Sequence, residues 1–184
     1  MVIIGIDEVG RGCWAGPVVA GAVVLDHPIA GLKDSKKLSK SQRQSLDETI
    51  RAKARAIGIG WVDAQVIDAI GLTAAVSLAM QRALDEITIP YDQIIMDGNH
   101  NFLPNNAKVT TMVKADDSVP AVSAASIVAK VARDAYMATI SKTYPQYGFE
   151  LHVGYGTSLH ADRLKQFGVC DIHRRSFKPI GALL

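Results

Sequence analysis

The sequence predicts one α/β domain, a mixed central sheet with helices on its faces and a small helical segment at the C-terminal end. Three observations predict it. Three apolar, strand-like runs come first and lie close enough together to form an antiparallel meander. Helix-period segments then alternate with two further strand-like runs, the pattern that puts helices between the strands of one sheet. Finally, 184 residues of which 48% are hydrophobic can bury a sizeable core without a disulfide or a structural metal. No internal repeat or low-complexity tract divides the chain. Residues 1–184 are therefore expected to form a single domain, with a helical appendage from about residue 143, near Tyr144-Pro145.

Val2 to Ile6 is a short apolar run ended by Asp7-Glu8 and a glycine pair, and Pro17 to Leu25 is a valine-rich run ended by Asp26-His27-Pro28. Both predict strands. A basic helix follows, opened by Ser39 with Gln42 three residues on in a capping-box arrangement, and a third strand is expected at Ala56 to Val62. Asp63 to Ile70 and Thr73 to Ile87 carry helix-period apolar positions separated by Gly71. Gln93 to Met96 and Lys108 to Val113 predict two more strands, each finishing beside acidic residues, Asp97 and Asp116-Asp117. Ser118-Val119-Pro120 then opens a long alanine-rich helix through about Ser141, and a last helix is expected at Ser158 to Phe167.

Composition narrows the function classes. Cys13 and Cys170 fit no C-x-x-C pattern and the N-terminus has no signal-peptide pattern, so a reducing, cytoplasmic setting is expected. The longest apolar stretch, Cys13 to Leu25, is broken by glycine and proline and is too short for a bilayer, so no membrane partner is expected. Without heptads or a spare amphipathic helix, the expected state is a monomer. The net charge is only +2, but it is unevenly spread. Between Gly31 and Arg55, Lys33, Lys36, Lys37, Lys40, Arg43, Arg51, Lys53 and Arg55 outweigh Asp34, Asp47 and Glu48. Basic flanks around an acidic centre suit a polyanion that must approach carboxylate-held cations, although a solvated helix face would also account for the run.

The candidate chemistry lies at the strand ends. Asp7-Glu8, Asp97 and Asp116 each fall at or near one, where α/β sheets gather ligands. Singly, each has a plainer reading as a turn or cap residue, Asp97-Gly98-Asn99 being a common turn tripeptide. Together they form a candidate site for hard divalent cations, because converging carboxylates repel unless cations sit between them. Gly10-Arg11-Gly12 supplies a guanidinium between residues that let backbone groups approach a ligand closely, as recognition of a ribose 2′-OH requires; a tight turn explains it equally. Its glycines only loosely resemble a dinucleotide loop, since a strand rather than a helix follows. No P-loop, G-x-S-x-G elbow or H-E-x-x-H helix is present. His152, His160 and His173 lack zinc-site spacing and are expected at surface or substrate-facing positions. Tyr155, between two glycines, is a candidate to stack on a sugar or base, whereas Tyr144 and Tyr147 also suit packing.

Taken together the motifs resemble the ribonuclease HII family over nearly the whole chain. They are Gly-Ile-Asp-Glu-Val-Gly-Arg-Gly (5–12), Ala-Gly-Pro-Val-Val-Ala (15–20), Asp-Ser-Lys-Lys-Leu-Ser (34–39), Asp-Gly-Asn (97–99), Ser-Ala-Ala-Ser-Ile-Val-Ala-Lys-Val-Ala-Arg-Asp (123–134), Tyr-Pro-Gln-Tyr-Gly-Phe (144–149), Gly-Tyr-Gly-Thr (154–157) and His-Arg-Arg-Ser-Phe (173–177). The resemblance implies a ribonuclease H-like fold and an endonuclease acting on RNA–DNA hybrids and on single ribonucleotides in duplex DNA, as in ribonucleotide excision repair. It implies cleavage 5′ to the ribonucleotide, leaving 3′-OH and 5′-phosphate ends. It further implies Mg²⁺ or Mn²⁺ held by Asp7, Glu8, Asp97 and Asp116, with Asp7 bridging two ions. By the same resemblance Gly10, Arg11 and Gly12 sense the 2′-OH and Tyr155 stacks on the deoxyribose after the junction. Lys36, Lys37 and Arg175 are expected phosphate contacts.

Two departures bear on these expectations. Lys114-Ala115-Asp116-Asp117 stands where the family usually has Lys-Gly-Asp, adding a methyl group at a site that could want backbone freedom and offering Asp117 as a second acid beside the favoured Asp116. Cys13-Trp14 stands where a proline is common, with Gly-Arg-Gly intact. Two other functions fit parts of the pattern: a nuclease or strand-transfer enzyme for all-DNA substrates, and a non-catalytic nucleic-acid-binding module. The four intact carboxylates argue against the second.

Overall fold

The computed structural model describes residues 1–184. Five strands form one sheet in the order β3-β2-β1-β4-β5: β1 is Ile3–Val9, β2 Val18–Val24, β3 Ala56–Val62, β4 Gln93–Asp97 and β5 Val109–Met112. β1, β2 and β3 are the antiparallel meander read from the sequence, while β4 and β5 add in parallel on the other edge of β1. The sheet is thus mixed, and the α/β fold class holds. β2 is buried at every position because both its faces are covered, which is why its valines run on without alternation.

The helices divide between the faces. α2 (Ala64–Ile70) and α3 (Leu72–Asp85) cover one, packing Ala75, Val76, Ala79 and Met80 on Ile4, Ile6, Val18 and Ala20. α1 (Lys40–Lys53) and α5 (Pro120–Ile140) cover the other, where Ile50, Ile127 and Val128 meet Val23. The predicted capping box is formed, with Ser39 Oγ accepting from the Gln42 N–H and the Gln42 side chain accepting from the Ser39 N–H. α5 lies directly against β1 because residue 5 has no side chain: a Cβ on Gly5 would collide with the Ala121 backbone. The alanines of α5 keep that separation short.

Two boundaries differ from the sequence expectation. β1 does not stop at Ile6 but continues through Asp7 and Glu8, since both remain paired to β2, Asp7 with Gly21 and Glu8 with Ala20. β5 begins at Val109 and ends at Met112, one residue inside the expected Lys108 to Val113 at each end, and Asp116 follows a turn. Lys114 turns into the left-handed region (φ 60), and the one-turn helix α4 (Ala115–Ser118) follows.

Beyond α5 come α6 (Phe149–His152), α7 (Ser158–Phe167) and α8 (Lys178–Gly181). They gather around Tyr147, Phe149, Leu164 and Ile180, and this cluster packs on Ala15 and on Met137 of α5. No helix is long and apolar enough to cross a membrane.

Candidate active site

Asp7 sits near the C-terminal end of β1, and the parallel register that pairs Ile6 with Met96 brings it beside Asp97, the last residue of β4. Asp97 Oδ1 accepts the Ala115 N–H at 2.8 Å, so this carboxylate ties the end of β4 to the start of α4 and draws Asp116 toward the same point. The left-handed residue that makes this turn is Lys114, whereas Ala115 is helical, buried, and packed with Ile95 and Val122. The methyl group that departs from the family pattern therefore fills a small core and strains nothing.

Electrostatics bind the four acids into one group. Burial pushes the Asp7 carboxyl well above the usual carboxylate range, and the charges of Glu8 and Asp97 push it further; the nearby Ser126 hydroxyl and a hydrogen bond from the Glu8 N–H (2.8 Å) counter only part of this. Glu8 is also raised, by burial and by Asp97, against the pull of Arg11, whose Nη1 lies 3.1 Å from Glu8 Oε1. Asp116 is raised by burial and then by Asp97 and Asp34. Asp97 is common to all three. Carboxylates that repel one another at a buried strand end, with one arginine among four acids, form a donor set of oxygens only, which fits hard divalent cations. No three donors close on one point in this structure, so the fit rests on donor chemistry and charge.

Asp117 takes a different path. Its carboxylate is held by Lys37 Nζ at 2.6 Å, and this ion pair lowers the Asp117 carboxyl below its usual value. Lys37 thereby reaches the acidic group from the turn Ser35–Lys37, whose buried Ser35 hydroxyl meets Ser126 Oγ at 2.9 Å. Lys36, in the middle of the same turn, is exposed.

The loop after β1 and the loop before α7 are brought together. Trp14 N–H donates to the Gly154 carbonyl at 2.8 Å, and Cys13 bridges to Tyr155. Gly10 has φ 90, Gly12 is open on its Cβ side, and the Arg11 side chain is half exposed above the Phe102 ring. Tyr155 is 38% exposed, enough to offer a face of its ring. The Arg175 backbone N–H is held by Asp68 and its side chain is exposed, whereas the neighbouring Arg174 is buried beneath the Gly10–Gly12 loop.

Sequence reasoning missed three residues here. Ser126 helps to hold down the Asp7 carboxyl, and Arg133 and Arg174 lie fully buried below the loops. A signal existed for Arg133: Ala129, Arg133 and Met137 recur at four-residue spacing on the apolar face of α5. The histidine expectation needs correction. His152, His160 and His173 are not at the surface but buried, because aromatic residues surround them; His152 stacks on His160 with centroids 4.3 Å apart. His160 Nε2 meets His173 Nε2 at 3.0 Å, and His160 Nδ1 meets the Tyr155 carbonyl at 2.9 Å.

Comparison with known proteins bears on this arrangement. A family model described as Ribonuclease HII matches residues 4–180. The chain is similar to ribonuclease HII of Nitrosococcus oceani, 47% identical over 184 residues that span 99% of this chain and 91% of the relative. Among solved structures it is similar to ribonuclease H2 from Pyrococcus horikoshii OT3, with a TM-score of 0.83, 27% identity and coverage of 100% of this chain and 97% of that one. Bst-RNase HIII in complex with Mn²⁺ shares the fold at a TM-score of 0.77 and 22% identity, covering 98% of this chain and 68% of that one.

Proposed function

Since the chain belongs to the ribonuclease HII family and is a ribonuclease H, we propose that it cleaves on the 5′ side of a ribonucleotide, in RNA–DNA hybrids and at single ribonucleotides within duplex DNA. The products would carry 3′-OH and 5′-phosphate ends. The observation that carries this reading is that Asp7, Glu8 and Asp116 are each raised by the charge of Asp97, which gathers four oxygen donors around the ends of β1 and β4 and the start of α4. These residues would hold Mg²⁺ or Mn²⁺. Bound there, divalent ions supply an activated water and stabilise the departing 3′-oxygen.

The chain's own side chains supply recognition. Arg11 and the backbone of Gly10 and Gly12 meet the ribose, where a 2′-OH can both donate and accept. Tyr155 offers its ring to the next sugar. Lys36, and Lys37 from its pairing with Asp117, hold phosphates next to the acids. The ion pair between Lys37 and Asp117 favours Asp116 as the metal-facing acid of the two, since Asp117 is already neutralised.

The test is cleavage of a labelled DNA duplex with one ribonucleotide, in Mg²⁺, Mn²⁺ or chelator, by the wild type and Asp7→Asn. Metal-dependent cutting 5′ to the ribonucleotide that falls by about a thousandfold or more in the variant is expected, the loss of several kcal/mol of charge stabilisation. Equal cutting of an all-DNA duplex, or an unaffected variant, would overturn the reading.

A further inference from the structure

Two arginines, Arg133 on α5 and Arg174 in the C-terminal segment, are completely buried, and their hydrogen bonds go to backbone carbonyls. Arg133 uses all three nitrogens: Nε donates to the Pro17 carbonyl at 2.9 Å, Nη1 to Val153 at 2.8 Å and Nη2 to Ala15 at 3.1 Å. Arg174 donates from Nε to the Gly16 carbonyl at 3.0 Å and from Nη1 to the Arg11 carbonyl at 2.9 Å, while its Nη2 is buried without a partner. The two charges also repel each other, which helps to lower the Arg174 guanidinium to about 10, burial being the larger cause. Stability alone does not explain this choice, because buried charges are costly and apolar side chains of similar volume are often as good.

The carbonyls explain it. Arg133 bridges the loop after β1 to the loop before Tyr155, and Arg174 holds Arg11 and Gly16 of the first loop to the C-terminal segment. Only a planar guanidinium presents several N–H donors in a fixed fork, so it can register carbonyls from two chain segments; an ammonium cannot. The second loop carries independent evidence of being held. Val153 is β-branched yet has φ 45, a conformation that persists only where the surroundings impose it, and its carbonyl is the Arg133 Nη1 partner. Gly154 (φ 86) then runs so close to Ala15 that a Cβ would strike the Ala15 carbonyl oxygen. The Arg133 guanidinium also lies 5.9 Å from the centroid of the Tyr155 ring.

We propose that Arg133 and Arg174 are positioning residues that fix the separation between the Gly10–Gly12 loop and Tyr155, and so set how sharply the enzyme selects a ribonucleotide followed by a deoxyribonucleotide. This rests on the reading that the loop and Tyr155 meet successive sugars. A 2′-OH sensed at one sugar and a ring laid on the next must sit one nucleotide apart. Any slack between the loops blurs that measure while leaving the carboxylates untouched.

The experiment compares kcat/KM on a DNA duplex with one ribonucleotide against a hybrid whose cleaved strand is all RNA, for Arg133→Lys, Arg174→Lys and Gly154→Ala. The lysines keep the charge and lose the fork; the alanine leaves both arginines and pushes the loops apart. Each is expected to reduce the selectivity ratio by about tenfold or more, the scale of an ångström-sized misplacement, with Mn²⁺ affinity by titration unchanged. If a lysine variant does not fold, Gly154→Ala carries the test. An unchanged ratio in the folded variants, or a parallel loss of Mn²⁺ affinity, overturns the proposal. Tyr155→Ala and Arg11→Ala separate the two levels: if these also leave the ratio unchanged, the reading of the loops as sugar contacts fails; if they lower it while the positioning variants do not, only the present proposal fails.

Discussion

Acid should unfold this protein through its histidine chain, and the size of the effect follows from the buried rings. The hydrogen bonds assign one neutral arrangement: the Cys170 N–H donates to His173 Nδ1 (2.9 Å), His173 Nε2–H to His160 Nε2 (3.0 Å), and His160 Nδ1–H to the Tyr155 carbonyl (2.9 Å). A further proton on His160 would set two N–H groups against each other. The groups facing the pair are His152, Tyr147, Trp14 and Cys170; Asp171 acts on Cys170. Burial, with the neighbouring imidazoles adding to it, lowers both rings from 6.5 to about 4. The unfolded chain takes protons on these rings near 6.5 while the folded chain does not until about 4. Between those values the unfolded state binds more protons, so this contribution is whole above 6.5 and is lost as pH falls toward 4. One ring contributes ~3 kcal/mol, and the coupled pair less than twice that. Asp7, Glu8 and Asp116 act in the opposite direction, since their raised carboxyls favour the folded state as they protonate. The comparison is therefore with His160→Asn, which keeps those acids and an N–H donor. Urea unfolding in chelator, repeated from pH 7 to 4, should show the stability gap between wild type and variant shrinking by ~3 kcal/mol. A gap that stays constant across the window would refute the neutral chain.

Lys36→Ala should weaken hybrid binding and lower the slope of log affinity against log salt by about one phosphate contact, without changing the rate at saturating substrate; unchanged affinity and slope would remove Lys36 from the interface. Gly5→Ala should cost ~3 kcal/mol or more in urea unfolding, because the new methyl meets the Ala121 backbone rather than a side chain that can turn away. A stability loss below ~1 kcal/mol would mean that α5 can lift from β1 freely.

Much of the fold was legible because its elements obey local rules. The glycine at 71 with φ 81, the Ser39–Gln42 box and Pro120 at the first turn of α5 mark their boundaries chemically. Where the reading slipped, the deciding interaction was distant in sequence. Asp7 and Glu8 looked like turn residues after an apolar run, yet cross-strand pairing with Gly21 and Ala20 keeps them in the strand. The four carboxylates could be nominated from their positions near strand ends, but that Asp97 would be common to them follows only from the parallel pairing of β1 with β4. The histidines were misjudged because polarity suggests exposure, and nothing local reveals that Phe149, Tyr147 and Trp14 enclose them. Arg174 beside Arg175 shows the limit most plainly: adjacent identical residues, one buried under a loop and one in solvent.

The order of the strands has a consequence for how the molecule is made. β1 precedes the other four strands of the sheet in the chain, but it occupies the centre of the sheet. Its partner β2 follows closely in the chain, and β3, after α1, pairs in turn with β2. The other edge of β1 waits for Gln93–Asp97, and the cover of Gly5 and Asp7 waits for α5 at Pro120–Ile140. Until β4 is made, β1 keeps one edge open, a state prone to wrong pairing. Asp7, which precedes the other three acids in the chain, gains its cover only with α5, so the carboxylate group comes together only as the domain as a whole does.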